Sequence, residues 1–204
     1  MGVTDLPLQG EYFLGPEEAL AAQERRLQGC QRCKLCAARH TIVFGSGNAR
    51  ADFMCIGEGP GADEDAKGKP FVGRAGQLLT KMLEAVKLTR DEVYITNAVM
   101  CRPPGNRNPE PDELAACAPF LAEKLATIQP KVILSLGSVA TQALLHTRES
   151  IGKLRGRVHA YGNAVLIPTF HPAFLLRNPG PEYKRMAFED LKLARREYDA
   201  RRSR

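Results

Sequence analysis

The chain has 204 residues, 44% of them hydrophobic and 25% charged, with a formal net charge of +6. That composition is ordinary for a water-soluble globular chain of one domain, which at this size buries about 70% of its unfolded surface. No run of about 18 apolar residues exists, and the first fifteen residues lack the basic-then-apolar pattern of a secretory leader, so a cytoplasmic protein with no membrane partner is expected.

Residues 1–15 read as a poorly ordered extension. Helix follows from Pro16 to Gln28, with proline at its entry and Gly29 at its exit. Cys30, Cys33 and Cys36 come next, as two overlapping C-x2-C spacings. An apolar run over 52–56 predicts a buried strand, and it opens into Gly57-Glu58-Gly59-Pro60-Gly61-Ala62-Asp63-Glu64-Asp65. Glycine turns after such a strand mark the carboxyl edge of a parallel sheet, where ligands bind. The loop has no P-loop lysine and four carboxylates, so it suits a neutral polar ligand such as a base or sugar rather than a phosphate.

Leu78, Leu79, Met82, Leu83 and Val86 share one helical face, and 93–99 reads as the next strand. The segment 101–111 is too proline-rich for helix or central strand and reads as a long functional loop. Leu114, Cys117, Leu121, Leu125 and Ile128 share a second helical face. A strand over 131–136 and a helix over 138–146 follow. The basic, glycine-flanked stretch 148–157 (Arg148, Lys153, Arg155, Arg157) is a candidate phosphate-contacting loop. The last strand, 164–169, leads to His171, which Pro172 keeps out of helical geometry. A long polar helix follows Pro181. Strands alternating with helices predict a mainly parallel sheet of about four strands, covered on both faces.

Six cysteines in an intracellular chain do not read as a disulfide framework. Cys30 with Cys33, and Cys101 with Cys117, could supply four thiolates to one metal centre. Zinc and an iron–sulfur cluster both accept that set, and the spacing alone leaves them open, as it leaves open whether Cys36 replaces Cys33. Cys55 lies inside an apolar strand and reads as core. His171 shares a sheet edge with the 57–65 loop and Asn97, which favours a catalytic role over a packing one. His40, His146 and His159 have no such context.

Taken in order, these motifs resemble the iron–sulfur uracil-DNA glycosylases, family 4 of that superfamily. The resemblance rests on Cys30-x2-Cys33-x-Leu35 with Arg39, on Gly57-Glu-Gly-Pro-Gly with Glu64-Asp65, and on Gly68-Lys-Pro-Phe71-Val-Gly73. It continues through Tyr94-Ile-Thr-Asn97, Cys101-Arg-Pro-Pro-Gly-Asn-Arg with Cys117, Pro130-Lys-Val-Ile-Leu-Ser-Leu-Gly137, and His171-Pro-Ala-Phe-Leu-Leu-Arg177. It implies a three-layer α/β/α sandwich and a structural [4Fe–4S] cluster on Cys30, Cys33, Cys101 and Cys117. It also implies a base-excision repair monomer that acts on uracil in single- or double-stranded DNA, leaving free uracil and an abasic site.

The implied pocket comprises Gly57, Glu58, Gly59, Asp65, Phe71, Asn97 and His171. The nucleotide must leave the duplex to reach it. Phe71 would stack on the flipped ring, Asn97 would read O4 and N3–H, and His171 would donate to O2 of the leaving anion. Glu64 is the first choice to orient the attacking water, with Asp65 second. Glu58 would hold the pocket or crowd the methyl group of thymine. Arg155 and Arg157 would contact phosphates, and Leu176 with Arg177 would wedge into the gap left by the base. A non-catalytic iron–sulfur nucleic-acid-binding module is the alternative, but it leaves Glu64, Asn97 and His171 without a role.

Overall fold

The computed structural model describes residues 14–202; apart from Leu14 and Gly15, the expectation for 1–15 lies outside them. Four parallel strands form the centre: β2 (Phe53–Gly57), β3 (Tyr94–Asn97), β4 (Val132–Leu136) and β6 (Ala164–Thr169). Two short strands, β1 (Ser46–Gly47) and β5 (His159–Tyr161), close the edges antiparallel, giving the order β1-β3-β2-β4-β6-β5. The expected four strands are the parallel core. The two edge strands have no apolar run of their own and pair only because a neighbour supplies the ladder.

Alternation along each strand splits the core into two layers. Phe53, Cys55, Ile95, Leu134 and Ile167 point to one face, under α3 (Arg74–Glu84), α7 (Pro172–Arg177) and α8 (Pro181–Arg202). Met54, Ile56, Tyr94, Ile133 and Leu166 point to the other, under α1 (Pro16–Leu27), α4 (Pro111–Ile128) and α5 (Ser138–Leu145). The result is a three-layer sandwich, as parallel strands buried on both faces require. Two short helices lie where loops were expected: α2 (Ala62–Lys67) inside the acidic loop and α6 (Ile151–Leu154) inside the basic one. No helix among the described residues is long and apolar enough to cross a membrane.

Register then fixes where chemistry can occur. Gly57 pairs with Asn97, and Leu136 with Thr169, so all four parallel strands end at one level. The chain passes from β2 to β3 on one side and later returns to β4 on the other. The crevice above β2 and β4 is therefore a topological switch point, where open α/β sheets bind ligands.

Candidate active site

A cleft of about 310 Å³ lies at that point. Its floor and near wall come from Glu58, Gly59, Glu64, Phe71, Asn97 and His171, and its far wall from Pro103, Asn106, Arg107 and Asn108. Glycine makes the convergence possible. A Cβ at Gly57 would fall 2.5 Å from both Asn97 Oδ1 and the Phe71 ring, and one at Gly137 would fall 2.9 Å from His171 Cβ.

Asn97 is 1% exposed, and its Oδ1 is buried with no hydrogen-bond donor in reach. Buried polar atoms are nearly always paired, because an unpaired one costs about 1–3 kcal/mol. An orphan acceptor on a side chain that lines a cleft points to a donor supplied by a ligand.

His171 caps α7: its Nδ1 accepts from Ala173 N at 3.1 Å, which leaves Nε2 carrying the proton. Burial, with Arg177 adding to it, pushes the imidazole pKa down from 6.5 to about 4. The side chain is therefore a neutral donor at physiological pH. The Phe71 and His171 rings stand 5.7 Å apart and tilted by 33°. Glu58 lines the cleft with its pKa raised by burial, an effect that Arg177 opposes.

Glu64 also lines the cleft, but three backbone N–H groups already use its carboxylate: Gly61 at 3.1 Å, and Val72 and Gly73 at 2.8 Å each. A carboxylate offers about four acceptor sites. One remains for a water.

Of the expected site residues, Asp65, Arg155, Arg157 and Leu176 do not line this cleft. Asp65, 4% exposed, accepts from His40 N at 2.9 Å and Thr41 N at 3.2 Å, so α2 turns it away from the cleft to tie down the 40–41 segment. Arg155 forms a bidentate pair with fully buried Asp190, at 2.9 and 2.7 Å, and donates to Met186 O at 2.6 Å. Thr169 also donates to Asp190, so Arg155 fastens α8 to the sheet, with its Nε and both Nη2 hydrogens already taken inside the protein. Arg157, two residues on, is exposed. Leu176 is 39% exposed while Leu175 beneath it is buried, and Arg177 sits at the cleft mouth.

Cys30, Cys33, Cys101 and Cys117 line a single second cavity with Arg32, Arg39 and Phe120; Cys36 and Cys55 do not. Arg39 donates to Cys101 Sγ at 3.4 Å, and burial raises the Cys101 and Cys117 thiols, Cys117 to about 11. Among the described residues, no three histidine, cysteine or carboxylate groups converge on a point that could hold one metal ion. The far wall of the cleft, 103–108, is the segment strung between Cys101 and Cys117. Arg107 pairs with fully buried Glu113 of α4, at 2.7 and 2.8 Å, one helical turn before Cys117.

The sequence model of the uracil DNA glycosylase superfamily matches residues 44–192. A type-4 uracil-DNA glycosylase of Thermotoga maritima is 43% identical over 181 residues, 88% of this chain and 94% of the relative. One from Saccharolobus solfataricus is 48% identical over 159 residues, 74% of each chain. The chain belongs to the uracil DNA glycosylase superfamily, in its type-4 branch. A type-5 relative from Thermus thermophilus is more distant, 31% identical over 174 residues, covering 76% of this chain and 79% of the relative.

Sequence reasoning missed Gly137, whose role shows only once His171 is packed against it. It also missed Asn106, Asn108 and Arg90. The first two were visible as a functional loop without individual assignments. Arg90, between a helix and a strand, carries no local signal.

Proposed function

We propose that the chain excises uracil from DNA by hydrolysing the bond between deoxyribose C1′ and uracil N1. The observation that carries this reading is the orphaned Asn97 Oδ1, buried in the cleft beside a neutral imidazole donor. Uracil offers N3–H to that acceptor and O4 to the amide nitrogen, whereas cytosine reverses both. As the glycosidic bond breaks, its electron pair passes to N1 and spreads onto O2 and O4. His171 Nε2–H donates to O2, stabilising the leaving anion in a site shielded from water. A donor placed this way is worth about 3–4 kcal/mol of barrier. Phe71 stacks on the extruded ring, and the free acceptor site of Glu64 holds the water that adds to C1′ and gives up a proton, which balances the negative charge of the departing uracil. Asp65 acts only at a distance, by ordering the 40–41 segment.

Cys30, Cys33, Cys101 and Cys117 line one cavity, and a set of four thiolates fits the [4Fe–4S] cluster that the family resemblance implies, each thiolate holding a separate iron. When bound, the cluster would tie the 30–33 segment to both ends of the loop that forms the far wall, and no step of the reaction runs through it. DNA would lie across the cleft mouth as a polyanion, contacted by Arg157 and Arg177 with Leu176 in the vacated gap. We propose a single-domain, monomeric, cytoplasmic repair enzyme.

Incubation with an oligonucleotide bearing one deoxyuridine, and separately with free deoxyuridine, tests this reading. Uracil released from the oligonucleotide alone supports it. Release from the free nucleoside at a comparable rate points to a nucleoside hydrolase, and no release from either points to a binding module.

A further inference from the structure

Phe71 has φ of +53°, in the left-handed region that a bulky residue occupies only when its surroundings hold it there. The surroundings are specific. Arg90 reaches across with Nη2 on Pro70 O at 3.0 Å and Nη1 on Phe71 O at 3.1 Å. Glu64 takes the next two N–H groups, of Val72 and Gly73, from the cleft side. Gly76, in the first turn of α3, lies so close that a Cβ there would stand 1.8 Å from Phe71 O. Thr80 Oγ1 accepts from Arg90 at 3.4 Å and donates to Gly76 O at 3.2 Å, closing the ring of contacts.

Half-buried guanidinium groups usually pair with carboxylates. Arg90 forms no ion pair among the described residues and spends its fork on two adjacent main-chain carbonyls. A planar fork suits that task because two parallel donors fix orientation as well as distance.

We propose that Arg90 is a positioning residue for the base pocket. Its grip on the Pro70 and Phe71 carbonyls holds the peptide in its left-handed turn, and so sets the Phe71 ring as the platform on which the extruded base stacks. The inference rests on the uracil-pocket reading above and assigns Arg90 no contact with substrate.

A double-mutant cycle on the cluster-loaded protein tests it, with Arg90→Met and Phe71→Ala made singly and together. Loss of base stacking should lower kcat/KM of Phe71→Ala by ~10–100-fold on a uracil oligonucleotide. Arg90→Met should lose ~10-fold or more, with Arg90→Lys recovering part of the loss because an ammonium still reaches one carbonyl. The double variant should match Phe71→Ala within about twofold, since a residue acting through the ring has nothing left to act on. Affinity for abasic product DNA, which has no base to stack, should stay at the parental value in Arg90→Met; a general structural lesion would lower it too. Losses that multiply in the double variant would overturn the role of Arg90 while leaving the pocket reading intact. A parental rate in Phe71→Ala would overturn the pocket reading and the proposal with it. If Arg90→Met fails to fold, Gly76→Ala presses on the same Phe71 carbonyl. Its cycle with Phe71→Ala should show the same non-additivity, and multiplied losses there would overturn the proposal.

Discussion

Removing the Asn97 amide should separate activity from stability. In the free protein Oδ1 has no partner, so the folded state carries its desolvation cost, about 1–3 kcal/mol, without a compensating bond. Asn97→Ala removes that cost and gives up a little packing, about 0.8 kcal/mol per buried CH2. Its Tm should therefore stay level or rise. The same substitution leaves uracil N3–H and O4 unpaired in a dry cleft. Two such losses sum to about 2–6 kcal/mol, and at 1.36 kcal/mol per decade kcat/KM should fall by ~30-fold to ~10⁴-fold. Asn97→Asp sharpens the test. Burial would raise the pKa of the new carboxyl. When ionised, it repels O4 and cannot donate; when protonated, it presents one donor and one acceptor, as asparagine does. Uracil release by Asn97→Asp should therefore increase as pH falls from 8 to 6, and slow cytosine release should appear at the alkaline end, where the carboxylate can accept from the N4 amino group. Chromatographic quantification of free base against pH, with melting curves on the same preparations, reads every part. Parental rates in both variants, or a large fall in Tm accompanying the loss in rate, would refute the reasoning.

Folding holds His171 neutral, with its pKa lowered from 6.5 to about 4. Between those values the unfolded chain binds a proton that the folded chain does not, so stability should fall as pH drops through that window, by up to ~3 kcal/mol. Denaturation of the wild type and His171→Gln across pH 7 to 4 should show a weaker pH dependence in the variant. Arg155→Ala should leave Asp190 buried and unpaired, costing about 3–5 kcal/mol in urea unfolding while DNA affinity, corrected for the folded fraction, stays within about twofold. Cys101→Ala should lose the visible absorbance of the cluster. It should also lose glycosylase activity, because the far wall 103–108 is anchored between Cys101 and Cys117. Stoichiometric zinc without iron in anaerobically prepared wild type would contradict the cluster assignment.

The four parallel strands and their covering helices were legible because each is an apolar run or a helical stripe, and burial on both faces leaves little choice of partner. Asn97, His171 and the 57–59 turn were legible for a related reason. A residue that ends a buried parallel strand, or follows it within two positions, must lie at the carboxyl edge. What failed were assignments that depend on where a side chain turns after a bend. Asp65 follows Glu64 in sequence, yet α2 places the two carboxylates about 100° apart around its axis, one toward the cleft and one toward His40. Arg155 and Arg157 carry the same charge in one basic stretch, and only the packing of α8 shows that Asp190 has claimed the first of them. Arg90 was invisible because its partners are main-chain carbonyls nineteen and twenty residues away, and no side-chain pattern announces such a contact.

The most direct test of the account is a crystal structure of the protein with uracil-containing DNA after cleavage, at a resolution that places the free base. Uracil should lie flat on Phe71, with N3 within hydrogen-bond distance of Asn97 Oδ1, O4 at the amide nitrogen and O2 at His171 Nε2. A base bound elsewhere, or one in the cleft with Asn97 Oδ1 still unpaired, would contradict it.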